Sequence, residues 1–138
     1  MPFEPLFVSN RVVAIIVPKT PFVAWINAAD PVPANPTVTL ADAQEEPSAF
    51  LIPTNEADDP DQPGKRWIQR SWKALFEQML EDWYTDPALW PRNRTIGMFR
   101  EWCDIRIHSI VLDCGDTPIE SPAVGQIPPG MVTSNSPT

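Results

Sequence analysis

The only histidine of the chain, His108, stands among residue types that could bind a metal ion. These neighbours are Cys103, Asp104, Asp113 and Cys114. Metal ligands must converge to about 2.0–2.3 Å from one point. In an extended strand, His108 and Asp113 point to opposite faces. Asp104 and Cys114 share the parity of His108 but lie roughly 13 and 20 Å from it, at a rise of about 3.3 Å per residue. The spacing therefore predicts no metal site.

The same segment gives little support for nucleophilic catalysis. Ser109 adjoins His108 but faces away from it, and the chain has no G-x-S-x-G elbow. The simplest interpretation makes His108 a surface histidine beside Arg106. The alternative is a general acid or base that works with a carboxylate from elsewhere, so His108 is the one catalytic candidate. The five glycines form no phosphate-binding loop, and no cofactor is predicted.

Two arginines, Arg92 and Arg94, lie close to Trp90 in the sequence. Guanidinium groups bind carboxylates and stack on indole rings. One interpretation is that these arginines pair internally with Asp82, Asp86 or the acidic loop described next. The other is a pocket for an anion or carboxylate, with Trp90 as its wall.

Acidic residues dominate the first half of the chain. The formal net charge is −8, and Thr20–Gly64 holds eight acids and no Lys or Arg. Four of these acids fall in a proline-containing segment, Thr54–Gly64, which is predicted to be a mobile loop: Glu56, Asp58, Asp59 and Asp61. An acidic field repels phosphate backbones, so no nucleic-acid partner is expected. The same field would steer a basic protein partner towards this loop.

Tryptophan is concentrated in one part of the chain, because five of the six tryptophans lie in Lys65–Trp102. A helix over Lys65–Tyr84 would place large apolar side chains on one face, where they form a core: Ile68, Trp72, Leu75, Phe76, Met79 and Trp83. Trp67 and Tyr84 fall at the ends of this helix and outside the stripe. Aromatic residues are enriched at interfaces, so these two are candidates for contact with a partner or with a second copy.

The remaining patterns predict further elements. Three segments are predicted to be strands: Arg11–Val17, Ala49–Ile52 and Asp104–Asp113. The first is expected to be central and covered on both faces, and the last is expected to have a half-exposed start and a buried end. Two further helices are expected to begin at Thr20 and at Asn93. Two single turns are expected at Leu40–Gln44, with a Thr39–Asp42 capping box, and at Asp86–Trp90.

Together these elements predict an α+β fold in the order β-α-β-α-α-β. A sheet of about three strands would be packed with helices in two layers, and a three-layer arrangement is the alternative. Residues 1–114 are interpreted as a single domain whose acidic, proline-rich loops lie within 30–64. Residues 115–138 are rich in Pro, Ser, Thr and Gly, and no charge follows Glu120, so this tail is predicted to be disordered.

The compartment is inferred from the cysteines and from hydropathy. On one strand Cys103 and Cys114 would stand on the order of 36 Å apart, and a disulfide requires Cα atoms within about 7 Å. Two free thiols are typical of a reducing environment. The apolar run Val12–Val17 is too short for a signal sequence or a membrane span. A cytoplasmic protein with no membrane partner is therefore expected.

These observations favour a small, acidic, non-enzymatic protein-binding domain with an adaptor or regulatory role. Its partner would be a basic protein or a second copy of the chain. The alternative is a small enzyme or anionic-ligand-binding domain that uses His108 and Arg106, with Arg92 or Arg94 orienting the anion. A nucleic-acid mimic is a third, weaker reading, because most of the acids fall in proline-rich loops.

Overall fold

The computed structural model describes residues 4–30 and 37–122 of the 138-residue chain. The strands are β1 (Leu6–Phe7), β2 (Arg11–Pro18), β3 (Ser48–Pro53), β4 (Cys103–His108) and β5 (Leu112–Asp113). The helices are α1 (Thr20–Ala29), α2 (Leu40–Ala43), α3 (Lys65–Glu81) and α4 (Ile96–Trp102), with a 3₁₀ turn at Pro87–Leu89. The α+β class is confirmed, and the three-stranded sheet with its main helices follows the predicted order.

Strand β2 is the centre of the main sheet, which has the order β3-β2-β4 with antiparallel neighbours. Its β-branched run forms alternate hydrogen bonds to both sides, as a central strand must. Val12, Ala14 and Ile16 are buried in the core with the helices. Val13 and Ile15 point to the opposite face and are only half-buried. We call this opposite face the open face. Its partial exposure indicates an arrangement of two layers rather than three.

The core lies between the sheet and the helices, and aromatic rings fill much of it. Phe22 of α1, Phe76 of α3 and Phe99 of α4 are completely buried. The Phe76 ring lies 5.4 Å from Phe99 and 5.7 Å from Trp102, measured between ring centroids. Aromatic pairs at such distances add to the stabilisation from area burial. The predicted α3 stripe therefore does pack on the core, although Trp72 remains half-buried.

The prediction of one continuous strand over Asp104–Asp113 was wrong. Strand β4 ends at His108, and after residues 109–111 the chain forms β5, which pairs with β1 in a separate two-stranded sheet. Burial also runs opposite to expectation, since Cys103 is 2% exposed and Ile110 is 77% exposed. The pairing of β2 with β4 stops at Val13 and His108, so residues 109–122 have no partner in the main sheet.

Helix starts follow local hydrogen bonding. The Thr39–Asp42 capping box is confirmed, with the Asp42 N–H donating to Thr39 Oγ1 at 3.1 Å and the Thr39 N–H donating to Asp42 Oδ2 at 3.0 Å. Helix α4 is capped by Thr95 rather than Asn93, which instead takes a left-handed conformation with φ of 56°. Helix α3 ends at Glu81, a few residues before the predicted end.

The β1–β5 ribbon, called the arm below, extends from the end of the main sheet. Leu6 lies opposite Asp113 and Phe7 opposite Leu112, and the Val8 N–H donates to the Val111 carbonyl at 2.8 Å. Residues 115–122 follow the arm without helix or strand. The rest of the predicted tail, residues 123–138, lies outside the described residues, as do residues 31–36 of the predicted acidic connection.

Candidate functional site

A cleft of about 520 Å³ separates the arm from the end of the main sheet. Ligand pockets usually measure about 300–1,000 Å³ and are mostly apolar, with a few polar groups. The lining residues fit that description: Val8, Asn10, Arg11, Leu51, Val111, Leu112, Asp113, Cys114 and Ile119. Leu51 and Arg11 come from the open face, and the others come from the arm and its flanking residues. The cleft can therefore accept large apolar side chains.

Exposed apolar side chains are concentrated at this end of the molecule. Among the described residues, most of the large apolar side chains that face solvent belong to the arm, its flanking segments or the cleft: Leu6, Phe7, Leu51, Ile110, Leu112 and Ile119. Clustered exposed apolar residues are typical of interaction or ligand-binding surfaces, whereas single exposed apolar residues need no explanation.

The predicted acidic loop lies at the same end of the sheet as the arm. The Thr54 N–H donates to the Asn10 carbonyl at 3.2 Å, which ties the start of the loop to the chain between β1 and β2. Glu56 and Asn10 line one surface depression, and Asn10 also lines the cleft. At the other side of the loop, Asp61 and Ser109 line a second depression. The fold thus places Glu56 beside the apolar cleft, whereas Asp61 lies beside Ile107 of β4.

The four acids of the loop have different roles. Asp58 Oδ2 accepts from the N–H groups of Asn55 at 3.2 Å and Gly64 at 3.4 Å, and Asp59 Oδ1 accepts from the Asp61 N–H at 3.0 Å. These bonds fold the segment into turns. The carboxylates of Glu56 and Asp61 accept no hydrogen bond from the described residues, so they are available to a partner.

The predicted aromatic contacts Trp67, Tyr84 and Trp90 pack against the core instead of standing free. The Tyr84 hydroxyl donates a hydrogen bond to the Ile26 carbonyl. Burial, with a smaller contribution from Asp30, raises the pKa of Tyr84 above its ordinary value. Trp90 Nε1 donates to the Tyr84 carbonyl at 2.7 Å. More exposed large apolar side chains lie on the arm and its flanking residues, among them Leu6, Phe7 and Ile110.

Of the two arginines that the sequence assigns either to internal pairing or to an anion pocket, Arg94 is paired inside the fold, with Glu77 rather than with Asp82, Asp86 or the acidic loop. Arg94 Nη2 lies 3.2 Å from Glu77 Oε1, its Nη1 donates to the Pro91 carbonyl at 2.9 Å, and its guanidinium carbon is 5.7 Å from the Trp90 ring centroid. Its Nε is buried and has no hydrogen-bond partner among the described residues. Arg92, by contrast, is exposed. Arg94 therefore fastens the start of α4 to α3.

The structure does not bring His108 and Arg94 together. His108 is exposed at the end of β4, opposite Val13 on the open face, whereas Arg94 pairs with a residue of the helical layer. Arg106 lies two residues before His108 on the same face, and its Nε is 2.8 Å from Asp104 Oδ2. In the described part of the chain, no three His, Cys, Asp or Glu side chains form a group that could hold a metal ion.

Sequence reasoning missed the apolar part of the site. It assigned Ile110 and Leu112 to the buried end of a strand, because an apolar run looks the same whether a core or a partner covers it. Leu51 falls in the short apolar strand predicted at Ala49–Ile52. Its odd parity, shared with Ala49, was the only signal that it belongs to the exposed face of that strand.

Comparison of the chain with protein-family models, with curated proteins and with solved structures gave no match. Across residues 4–30 and 37–122, no helix combines the length and apolar character needed to cross a bilayer.

Proposed function

We propose that this protein is a non-enzymatic protein-binding domain that holds a basic, apolar segment of another protein. Large apolar side chains of the partner enter the cleft, and its Lys or Arg side chains face the acids around it. The observation that supports this function best is the position of the acidic loop, which borders an apolar cleft at one end of the sheet. An adaptor or regulatory role follows from binding without chemistry.

The apolar part supplies the affinity. Burial of apolar surface contributes roughly 25 cal/mol per Å² removed from water. Leu112 is 54% exposed and Leu51 is 47% exposed, so each has surface left to bury. A few anchors in a desolvated pocket carry most of the binding energy at protein interfaces.

The charges supply orientation and association rate. Arg11 is the only Lys or Arg among the residues that line the cleft, which Asp113 also lines. Glu56 lines a depression that shares Asn10 with the cleft. Interactions between exposed charges extend over about 8 Å at physiological ionic strength. Complementary charge raises the association rate more than the final affinity.

A reducing compartment such as the cytoplasm belongs to the same proposal. Cys103 is buried and Cys114 is exposed, and both are free thiols. Cys114 lines the cleft, where oxidation would change the surface offered to a partner. Disulfides are rare where cellular thiols keep cysteines reduced.

The test uses a synthetic peptide of alternating leucine and lysine, with an alternating leucine–glutamate peptide as the charge control. We expect the lysine peptide alone to bind in titration calorimetry. Leu51→Asp and Leu112→Asp should each weaken binding about tenfold or more, since each places a carboxylate in the apolar cleft. Leu40→Asp, at an exposed leucine of α2, is the matched control. Equal binding by Leu51→Asp and wild type would refute the cleft as the site.

The electrostatic part is tested separately with Glu56→Gln combined with Asp61→Asn, because neither carboxylate holds the loop together. We expect slower association with the lysine peptide in stopped-flow measurements, and the difference should shrink as salt rises. Glu45→Gln with Glu46→Gln removes the same charge before β3, at the other end of the sheet. If this control slows association equally, net charge rather than the loop governs the rate.

A further inference from the structure

Strand β4 has a free edge. Its inner edge pairs with β2. At its start the Cys103 N–H donates to the Phe99 carbonyl at the end of α4, and no backbone hydrogen bond among the described residues reaches Ile105 or Ile107 from the outer side. The Lys19 N–H donates to the Trp102 carbonyl at 2.7 Å. Because bonded and non-bonded pairs alternate in an antiparallel ladder, even-numbered residues of β4 bond to β2. The N–H and C=O groups of Ile105 and Ile107 and the C=O group of Cys103 therefore point outward, whereas the Cys103 N–H is taken by the Phe99 carbonyl.

The hydrogen bonds between β2 and β3 lead to the same assignment of the β2 residues that bond to β4. The Thr54 N–H bonds the Asn10 carbonyl at 3.2 Å, so even-numbered residues of β2 bond to β3 and odd-numbered ones to β4. The outer edge of β3 includes Pro53, which has no N–H to donate. The outer edge of β4 contains no proline between Cys103 and His108, and it is the better template for an added strand.

Beside this edge lies a groove of about 180 Å³ on the helical side of the sheet. Its walls combine apolar and basic side chains of α3, α4 and β4: Lys65, Ile68, Gln69, Arg100, Ile105 and Ile107. Isoleucine side chains of an added strand would project into such a groove, since residues 103, 105 and 107 face the helical layer. The edge thus offers both backbone groups and an apolar wall.

The charges on the open face of β4 are complementary to themselves. Asp104 and Arg106 are two residues apart on one face and have opposite sign. In the single chain they pair with each other at 2.8 Å, and their side chains are 45% and 62% exposed, so both can turn from this exposed pair towards a neighbouring strand. In an antiparallel pair related by a two-fold axis at Ile105, each Asp104 lies opposite Arg106 of the other copy. Opposite charges placed directly across two strands stabilise the pair.

The neighbouring registers are disfavoured by the same charges. A two-fold axis at Asp104 places two aspartates opposite each other, and an axis at Arg106 places two arginines opposite each other. Like charges in directly opposed positions are destabilising. Of these three registers, only the one centred on Ile105 both pairs outward-pointing backbone groups with each other and places each Asp104 opposite an Arg106.

We infer that two copies of this chain form a symmetric dimer through antiparallel pairing of β4 with β4. The two three-stranded sheets become one continuous sheet of six strands, with Ile105 against Ile105 of the second copy on the helical side. Such an interface uses the same surface on both subunits, as two-fold symmetry requires. It shares no residue with the cleft, so it does not depend on the proposed function.

The test is charge exchange across the interface, read by light scattering after size exclusion and by native mass spectrometry. We expect the wild type to be a dimer, and Asp104→Arg and Arg106→Asp each to be monomeric. An equimolar mixture of the two variants should form a heterodimer, because each chain then supplies the charge that the other lacks. Glu45→Arg and Arg92→Asp, at exposed positions away from β4, are the matched controls and should remain dimeric.

A second measurement uses the unmodified chain, so it tests the dimer even if the variants fail to fold. Amide hydrogen exchange at Ile105 and Ile107 should slow as the protein concentration rises, because the partner strand occupies these N–H groups. A wild type that stays monomeric, or a dimer that persists in both single variants, would overturn the inference. So would exchange at these two amides that does not depend on concentration.

Discussion

The Tyr84 hydroxyl bonds the Ile26 carbonyl and thereby joins the end of α3 to α1. Tyr84→Phe should lower the free energy of unfolding by about 1–2 kcal/mol, because the carbonyl loses its donor. Burial raises the pKa of Tyr84 above its ordinary 10.0, so the folded state holds this proton more tightly than the unfolded state. The stability that the protonated Tyr84 hydroxyl contributes is therefore complete below pH 10 and is lost as the pH rises through the folded-state pKa.

Urea unfolding of wild type and Tyr84→Phe between neutral pH and pH 11 measures this dependence. The difference in unfolding free energy between the two proteins should shrink in the alkaline range. A difference that stays constant with pH would show that the folded state does not favour the protonated hydroxyl.

The two cysteines should differ in reactivity. Burial raises the pKa of the Cys103 thiol from 9.0 to about 12, whereas Cys114 is exposed. Since the thiolate is the reactive form, a thiol reagent at mildly alkaline pH should modify one cysteine in the native protein and both in urea. Cys114→Ser should abolish the native reaction. Rapid modification of Cys103 in that variant would show that this end of β4 opens readily.

At the scale of elements, Gly64 decides how the acidic loop enters α3. Its φ is 82°, and an added Cβ would lie 2.8 Å from Val12 Cγ2. Gly64→Ala should destabilise the protein by about 3 kcal/mol, through left-handed strain and overpacking of the core. Gly97 lies in α4 with only Thr95 Oγ1 near, at 3.8 Å, so Gly97→Ala should stabilise by about 0.5 kcal/mol. Thermal unfolding of both variants checks the opposite signs.

The elements also show what the sequence could and could not predict. The apolar runs of β2 and the helical period of α3 are local patterns, so both elements were predicted nearly to their ends. The break after His108 depends on where β2 stops pairing and on a two-residue strand, β1, that has no periodicity of its own. The acids of the loop were visible in the composition. The apolar cleft beside them was not, because it is formed by segments distant in the sequence.

At the scale of the whole molecule, the two proposed surfaces lie on different parts of the main sheet. The cleft uses Leu51 of β3 and the arm, whereas the dimer interface uses β4. The sequence order places β4 and β5 in direct succession, yet they belong to different sheets. Because of the break between them, one continuous segment contributes both to the proposed dimer edge and to the wall of the proposed binding cleft.

This separation predicts that peptide binding and dimer formation are independent, since changes at separate sites without shared contacts are usually additive. Asp104→Arg should change the affinity for the leucine–lysine peptide less than about twofold, and Leu51→Asp should leave the dimer intact. Titration calorimetry of the wild type should give one peptide per chain and thus two per dimer. A large loss of peptide affinity in the monomeric variant would mean that the second copy helps to form the cleft, and the two surfaces would then be one site.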